Sequence, residues 1–164
     1  QVRRYADYGV VRTARQTRVA EDGVKLGEPK MTGAGAFQAL AGYIFGGNAR
    51  EEKMSMTTPV FTREGQMEFV LPESYWTDTS AAPAPISDVE LTSGQAGLVA
   101  AAFFGGYATG AEVEKRTAGL VDAVRAAGWT TVGDPFSAAY NDPFTPPWRR
   151  RNEVLVAVAR RGEE

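Results

Sequence analysis

The spacing of apolar residues in this 164-residue chain changes twice from a strand-like period to a helix-like period, once in each half. Residues 33–45 predict the first helix, which the Gly-Gly-Asn sequence at residues 46–48 ends. A second helix is predicted between an N-cap at Thr109 and a stop at Gly128. The apolar positions of the first helix are Phe37, Leu40, Ala41 and Ile44.

Strand-like segments surround each helix, so that each half has the order strand, helix, strand, strand. Residues 21–29 are predicted to form a turn. We expect one domain over residues 1–164, with an α+β fold in which two similar halves form a curved antiparallel sheet or distorted barrel and the helices lie outside. The predicted strands are residues 8–19, 54–62, 66–71, 89–91, 98–104, 132–140 and 152–159.

The chain contains no cysteine and no histidine. This composition excludes disulfides, zinc–thiolate sites and iron–sulfur clusters, and it excludes a Ser–His–Asp triad within the chain. The net charge of −2 argues against nucleic acid as the main partner. No apolar run reaches the length of a membrane span. Because the chain begins with Gln1, we expect that a preceding segment has been removed.

The first predicted helix differs from the second because residues 33–49 carry no charge. A helix at the surface of a soluble protein normally places charged side chains on its outer face. The residues expected on that face are Gln38, Ala39, Gly42 and Tyr43. Another protein segment, a second subunit or a flat ligand could cover it, and composition alone leaves these alternatives open.

The segment Tyr140–Trp148 combines aromatic side chains with three prolines that stiffen its backbone. We expect Pro143, Pro146 and Pro147 to be structural, and either Phe144 or Trp148 to belong to the core. The three arginines that follow, at residues 149–151, are either a solvated charge run or a partner for a carboxylate. Arg50 and Lys53 are alternative carboxylate partners.

Three further residues could carry chemistry. Met54 and Met56 could ligate haem iron through their thioethers, but core packing is the favoured interpretation. Glu153 is expected to form a salt bridge with an arginine. No pair of acidic residues is spaced for general acid–base catalysis, so no catalytic residue is assigned, and no metal site held by the protein alone is predicted.

Four segments together resemble the SOUL haem-binding family, and they follow in the family's order along nearly the whole chain. Residues 37–60 (FQALAGYIFGGNAREEKMSMTTPV) resemble its helix, glycine turn and K-x-x-M-T-x-P-V strand. Residues 83–85 (PAP) and 103–107 (FFGGY) resemble two connecting elements. Residues 140–154 (YNDPFTPPWRRRNEV) resemble the family's C-terminal signature.

The resemblance implies a distorted antiparallel β-barrel of two pseudo-symmetric halves flanked by two α-helices, with a shallow apolar cleft for haem or another porphyrin. It implies that the cleft is formed by the first helix and by the loop before the last strand. The haem propionates would contact Arg149, Lys53 or Arg50. Without histidine, the iron would be held by Tyr43, by weak methionine ligation or by no protein ligand. The cofactor-binding residues carried over from the family are Gln38, Ala41, Gly42, Tyr43, Phe45, Phe144, Thr145, Trp148 and Arg149.

Three functions remain open from the sequence. The first is a carrier or buffer that binds haem or a related tetrapyrrole. The second is an enzyme that oxidatively degrades or demetallates the bound haem, and the third is a sensor module for small apolar ligands. We expect a small-molecule partner, no nucleic acid, and a monomer or weak dimer. We expect a chloroplast location, with the cytoplasm as the alternative.

Overall fold

The structure is a computed structural model that describes residues 1–19, 25–29, 33–142 and 144–162. The chain divides into two compact units that exchange segments of sequence. Unit 1 consists of Gln1–Asp7, Thr58–Glu64 and Gln95–Glu164, and unit 2 consists of Tyr8–Thr57 and Gly65–Gly94.

The described residues form ten strands and two α-helices. Helix α1 is Gly33–Ile44 and helix α2 is Gly110–Ala126. The strands are β1 (Val2–Tyr5), β2 (Tyr8–Thr13), β3 (Arg15–Val19), β4 (Lys25–Pro29), β5 (Val60–Arg63), β6 (Gln66–Val70), β7 (Val89–Gly94), β8 (Gly97–Phe104), β9 (Trp129–Ala139) and β10 (Asn152–Arg160).

The strands confirm the predicted α+β fold. In unit 1 their order is β1-β8-β10-β9-β5, and in unit 2 it is β6-β2-β7. Within each unit, the described strand pairings are antiparallel. Strands β3 and β4 form a separate two-stranded sheet.

The predicted repeat of strand, helix, strand, strand is also confirmed. The first copy is β2-α1-β5-β6 and the second is β8-α2-β9-β10. Strands β3 and β4 lie between β2 and α1 in the first copy and have no counterpart in the second. In both copies the first strand pairs with the last, as β2 does with β6 and β8 with β10. Apart from β3 and β4, the two copies therefore have the same order of elements although their sequences differ.

Several predicted boundaries are wrong, and backbone hydrogen bonds explain two of them. The predicted strand at residues 8–19 is interrupted at Ala14, whose N–H donates to the carbonyl of Asp88. The predicted strand at residues 54–62 begins only at Val60, because the Met54 N–H donates to the carbonyl of Ile44 and Pro59 has no N–H to donate. Strand β4 occupies part of the predicted turn, while residues 20–24 lie outside the described residues.

Each unit has its own apolar core beneath its helix. In unit 2, the Phe37 and Phe69 rings meet edge to face with their centroids 5.4 Å apart. In unit 1, α2 begins at the predicted cap, where the Thr109 hydroxyl oxygen accepts the N–H of Glu112 at 3.3 Å. The buried residues beneath α2 are Ala100, Phe104, Leu120, Val124, Val154, Val156 and Val158.

In the part of the chain that the structure describes, no helix combines the length and the apolarity needed to cross a bilayer.

Candidate functional site

Helix α1 has an exposed face without a charged side chain. Gln38 and Gly42 are exposed on it, and Phe45, which follows the helix, is 57% exposed. A Cβ atom placed on Gly35 or Gly42 would have no heavy atom of the described residues within 4 Å. The described side chains therefore leave this face open at the two glycines, which suits a planar apolar ligand. Ala39 and Ala41 are half-buried beside it.

The turn after α1 fixes the end of this face. The Gly47 N–H donates to the carbonyl of Gly42 at 2.8 Å, and a Cβ on Gly47 would lie 2.7 Å from that same oxygen. The buried amide of Asn48 donates to the carbonyls of Tyr43 at 3.0 Å and Glu52 at 2.7 Å. Only glycine therefore fits at residue 47. The Asn48 hydrogen bonds hold the following segment against the end of α1.

That segment brings one of the predicted cations to the apolar face. Lys53 is exposed and forms an isolated antiparallel bridge with Phe45. Arg50 is already engaged, since its Nη2 donates to the carbonyl of Ala81 at 2.6 Å and its Nη1 lies 3.8 Å from Glu52. Within unit 2, Lys53 is therefore better placed than Arg50 to meet the carboxylate of a ligand on α1.

The placement of Tyr43 on the exposed face is wrong. Its side chain is fully buried, and its hydroxyl donates to the carbonyl of Pro83 at 2.7 Å. Burial is the main reason that the pKa of the Tyr43 phenol is raised to about 12. A buried, protonated phenol whose hydroxyl is already bonded is not available as an iron ligand at the surface.

The two methionines separate because residues 54–56 do not form a strand. Met54 is buried, which confirms its predicted role in core packing. Met56 is exposed, so the core interpretation is wrong for that residue. In an irregular segment, residues two apart need not share a face.

In unit 1, the loop before β10 presents two aromatic side chains to solvent. Phe144 is 94% exposed and Trp148 is 82% exposed, so the expectation that one of them belongs to the core is wrong. Thr145 is half-buried and Arg149 is exposed. Pro146 and Pro147 cap and begin the short 3-10 helix Pro147–Arg149, in line with a structural role. Pro143 lies outside the described residues.

The predicted ion pair of Glu153 is confirmed, and its main partner is Arg3. Two guanidinium nitrogens of Arg3 bind the two carboxylate oxygens at 2.9 and 2.7 Å. The Tyr140 hydroxyl donates to Glu153 at 2.8 Å and Arg151 Nη2 donates at 3.2 Å. Burial alone would raise the pKa of Glu153, but these hydrogen bonds outweigh it and lower the pKa to about 2.

The sequence indicated that Glu153 needs a cation, because it lies in the apolar strand sequence NEVLVAV. It gave no signal for Arg3 or Tyr140. The pKa of the Tyr140 phenol is raised, mainly by its burial and next by its hydrogen bond to Glu153. The hydrogen bonds to Glu153 join β1 to β10 and account for the lowered pKa of Glu153 without a bound ligand.

The predicted haem-contacting residues thus belong to different units, those of α1 to unit 2 and those of the loop to unit 1. Each set is exposed within its own unit, apart from Tyr43 and the half-buried Ala41 and Thr145. The assignment of both sets to one haem cleft stays a prediction.

Comparison with known structures shows the fold. A protein from Listeria innocua described as a hydrolase is 10% identical, with a TM-score of 0.59, and the alignment covers 97% of this chain and 91% of that one. The C-terminal domain of EcmrR is also 10% identical, with a TM-score of 0.60 and coverage of 98% and 97%. No curated protein matches the chain.

The family assignment comes from the sequence as a whole. Residues 1–157 match the family described as SOUL heme-binding protein, which spans nearly the entire chain and includes all four segments that carry the resemblance. The chain belongs to the SOUL heme-binding protein family.

Proposed function

We propose that this protein carries or buffers haem, or a related tetrapyrrole, on the exposed face of α1. The observation that carries the proposal is that this face is uncharged and open at Gly35 and Gly42, where no described atom would contact an added Cβ. A porphyrin is flat and apolar, and it can approach a helix closely where side chains are absent. Membership of a haem-binding family supports the same conclusion.

The chain's own residues divide the binding into two parts. Gln38, Gly42 and Phe45 offer surface to the ring, and the exposed Lys53 beside Phe45 offers an ammonium group to a propionate. The chain has no histidine or cysteine, and Tyr43 is buried, so we expect the affinity to come mainly from apolar contact.

The expected affinity follows from the area of the ring. Burying roughly 300 Å² of apolar porphyrin at about 25 cal/mol per Å² contributes about 7 kcal/mol before the costs of association. By itself such a contribution corresponds to a dissociation constant of about 10 µM, and the costs of association weaken binding further, which suits a protein that must release its cargo.

An absorption titration with haem tests the proposal, using glycines from the two helices as a matched pair. Gly42→Glu places a carboxylate on the proposed face, whereas Gly119→Glu places one on the exposed surface of α2, where a Cβ also has no described neighbour within 4 Å. We expect Gly42→Glu to weaken haem binding at least about tenfold, because an unpaired charge would be buried under the ring. Gly119→Glu should bind like the wild type.

Lys53→Gln gives a third arm of the same titration. Removing one exposed cation should weaken haem binding only about two- to fivefold, as expected for a solvent-screened ion pair. If Gly42→Glu is folded by circular dichroism and binds haem as tightly as the wild type, the assignment of the ligand to α1 is wrong.

The lack of histidine favours one second candidate, the oxidative degradation or demetallation of the bound haem. Haem itself would supply the redox chemistry, and the chain would orient it and leave the metal accessible to oxygen or peroxide. Adding a reductant or peroxide under air separates the two functions. A carrier keeps the Soret band of its bound haem. An enzyme that opens the ring loses this band, and one that removes the metal converts it to the band of the free porphyrin, in each case faster than the Gly42→Glu variant at the same haem concentration.

A further inference from the structure

The loop before β10 exposes the two most accessible large aromatic side chains among the described residues, Phe144 and Trp148. We name residues 144–151 the aromatic–arginine loop. Rings of this size are normally buried or cover a partner, because exposing them to water is unfavourable. Their joint exposure within five residues of sequence points to an interaction site.

Hydrogen bonds hold this loop in its exposed conformation. The Asp142 carboxylate accepts the N–H of Phe144 at 2.8 Å and the hydroxyl of Thr145 at 3.0 Å. Arg150 Nε donates to the carbonyl of Thr145 at 2.7 Å, and the guanidinium lies 4.9 Å from the centroid of the Tyr107 ring. The hydrogen bonds from Phe144 and Thr145 lower the pKa of Asp142, and the N–H of Phe144 contributes most.

A second set of hydrogen bonds joins the loop to Gly106. The carbonyl of Pro147 accepts the N–H of Gly106 at 3.1 Å, and the Asn152 amide donates to the carbonyl of Gly106 at 2.9 Å. The backbone that carries Trp148 is thereby bonded to the segment after β8. A loop held in this way loses little conformational entropy when its rings enter a partner.

The charge of the loop is opposite to that of the whole chain. The chain carries a net charge of −2, but residues 140–151 contain three arginines and one carboxylate, Asp142. Arg149 and Arg151 are exposed, whereas the Glu153 carboxylate that Arg151 also contacts is buried and paired with Arg3. The loop is therefore a basic surface on an otherwise acidic protein.

The combination of exposed aromatic rings with exposed arginines suits the surface of an anionic bilayer. Tryptophan rings favour the headgroup region, and guanidinium groups bind lipid phosphates with two parallel hydrogen bonds. We propose that the aromatic–arginine loop docks this protein on an anionic lipid membrane, with Phe144 and Trp148 entering the headgroup region and Arg149 and Arg151 contacting phosphates.

Sedimentation with sucrose-loaded vesicles tests the proposal. Wild-type protein should sediment with vesicles of phosphatidylcholine mixed with phosphatidylglycerol, and less with phosphatidylcholine alone or at high salt. Phe144→Ser/Trp148→Ser should lower the partition coefficient by about tenfold or more, since both rings lose their apolar burial. Arg149→Gln should lower it about fivefold, and only on the anionic vesicles.

Ile86→Ser is the matched control, because Ile86 is also a highly exposed apolar side chain but lies in unit 2. It should sediment like the wild type, and all variants should fold because the replaced side chains are exposed. The proposal is overturned if wild-type protein ignores anionic vesicles, in which case a protein partner becomes the better explanation. It is equally overturned if the double variant binds vesicles as well as the wild type or if Ile86→Ser binds as poorly as the double variant.

Discussion

Replacing Arg3 with leucine should destabilise the protein strongly, because it removes the main cation from a buried carboxylate. Glu153 is fully buried, and Arg3 binds both of its oxygens across 150 residues of sequence. Only Tyr140 and Arg151 would remain as donors to the carboxylate. Removing one partner of a buried ion pair destabilises a protein more than replacing both partners with apolar residues, because the remaining charge stays buried without its counterion.

The pKa of Glu153 gives the magnitude. Lowering it from an ordinary value of 4.5 to about 2 corresponds to roughly 3 kcal/mol of stability at neutral pH. Because the folded-state pKa lies below the unfolded one, this stability is complete above about pH 5 and is lost as the pH falls toward about 2. Removing one partner of a buried ion pair typically costs about 3–5 kcal/mol, and since Tyr140 and Arg151 remain, we expect Arg3→Leu to lower the free energy of unfolding by about 3 kcal/mol at pH 7.

Urea unfolding followed by circular dichroism, repeated from neutral to acidic pH, measures both effects. The unfolding free energies of the wild type and of Glu153→Gln should converge as the pH falls, because only the wild type loses the contribution of an ionised Glu153. Arg12→Gln is the control: Arg12 and Glu90 also form an ion pair, 2.6 Å long, but both are partly exposed, so its loss should cost less than about 1 kcal/mol. An equal pH dependence for Glu153→Gln and the wild type would refute the reasoning.

Two further experiments test the packing of α1. Tyr43→Phe should lower the free energy of unfolding in urea by about 1–3 kcal/mol, because the buried carbonyl of Pro83 loses its hydrogen-bond donor. The absorption spectrum of bound haem should stay unchanged, and an altered Soret band would indicate that Tyr43 is an iron ligand. Gly47→Ala should destabilise the protein by more than about 1 kcal/mol, because the added Cβ would collide with the carbonyl of Gly42. Gly119→Ala, in the open middle of α2, should stabilise the protein by about 0.5–1 kcal/mol. A higher thermal unfolding temperature for Gly47→Ala than for Gly119→Ala would contradict the geometry.

Local signals predicted both helices and most strands. The first helix was expected at residues 33–45 and lies at Gly33–Ile44, and the Thr109 cap and the Gly128 stop both hold, with Gly128 at a φ of +79°. These features depend on residues close together in the chain, whose spacing and backbone preferences act before any tertiary contact forms.

The side chains that face the core of α1 could not be predicted in full. The predicted stripe contained Leu40 and Ile44, which are buried, but it did not include Tyr43. A helix without charges carries no marker of its solvent side, so neighbouring stripes are equally apolar. The carbonyl of Pro83, which bonds the tyrosine, lies 40 residues away in the sequence.

The sequence by itself therefore determined the family, the repeated strand–helix–strand–strand order and the presence of an uncharged helix face. The tertiary structure alone decided that Tyr43 is buried, that Phe144 and Trp148 are exposed, and that Arg3 neutralises Glu153. The spacing of apolar residues indicates which side chains favour burial, whereas their actual burial depends on which distant segment packs against them. That outcome is set by long-range pairing, as in β1 with β8 and β8 with β10, which no local pattern encodes.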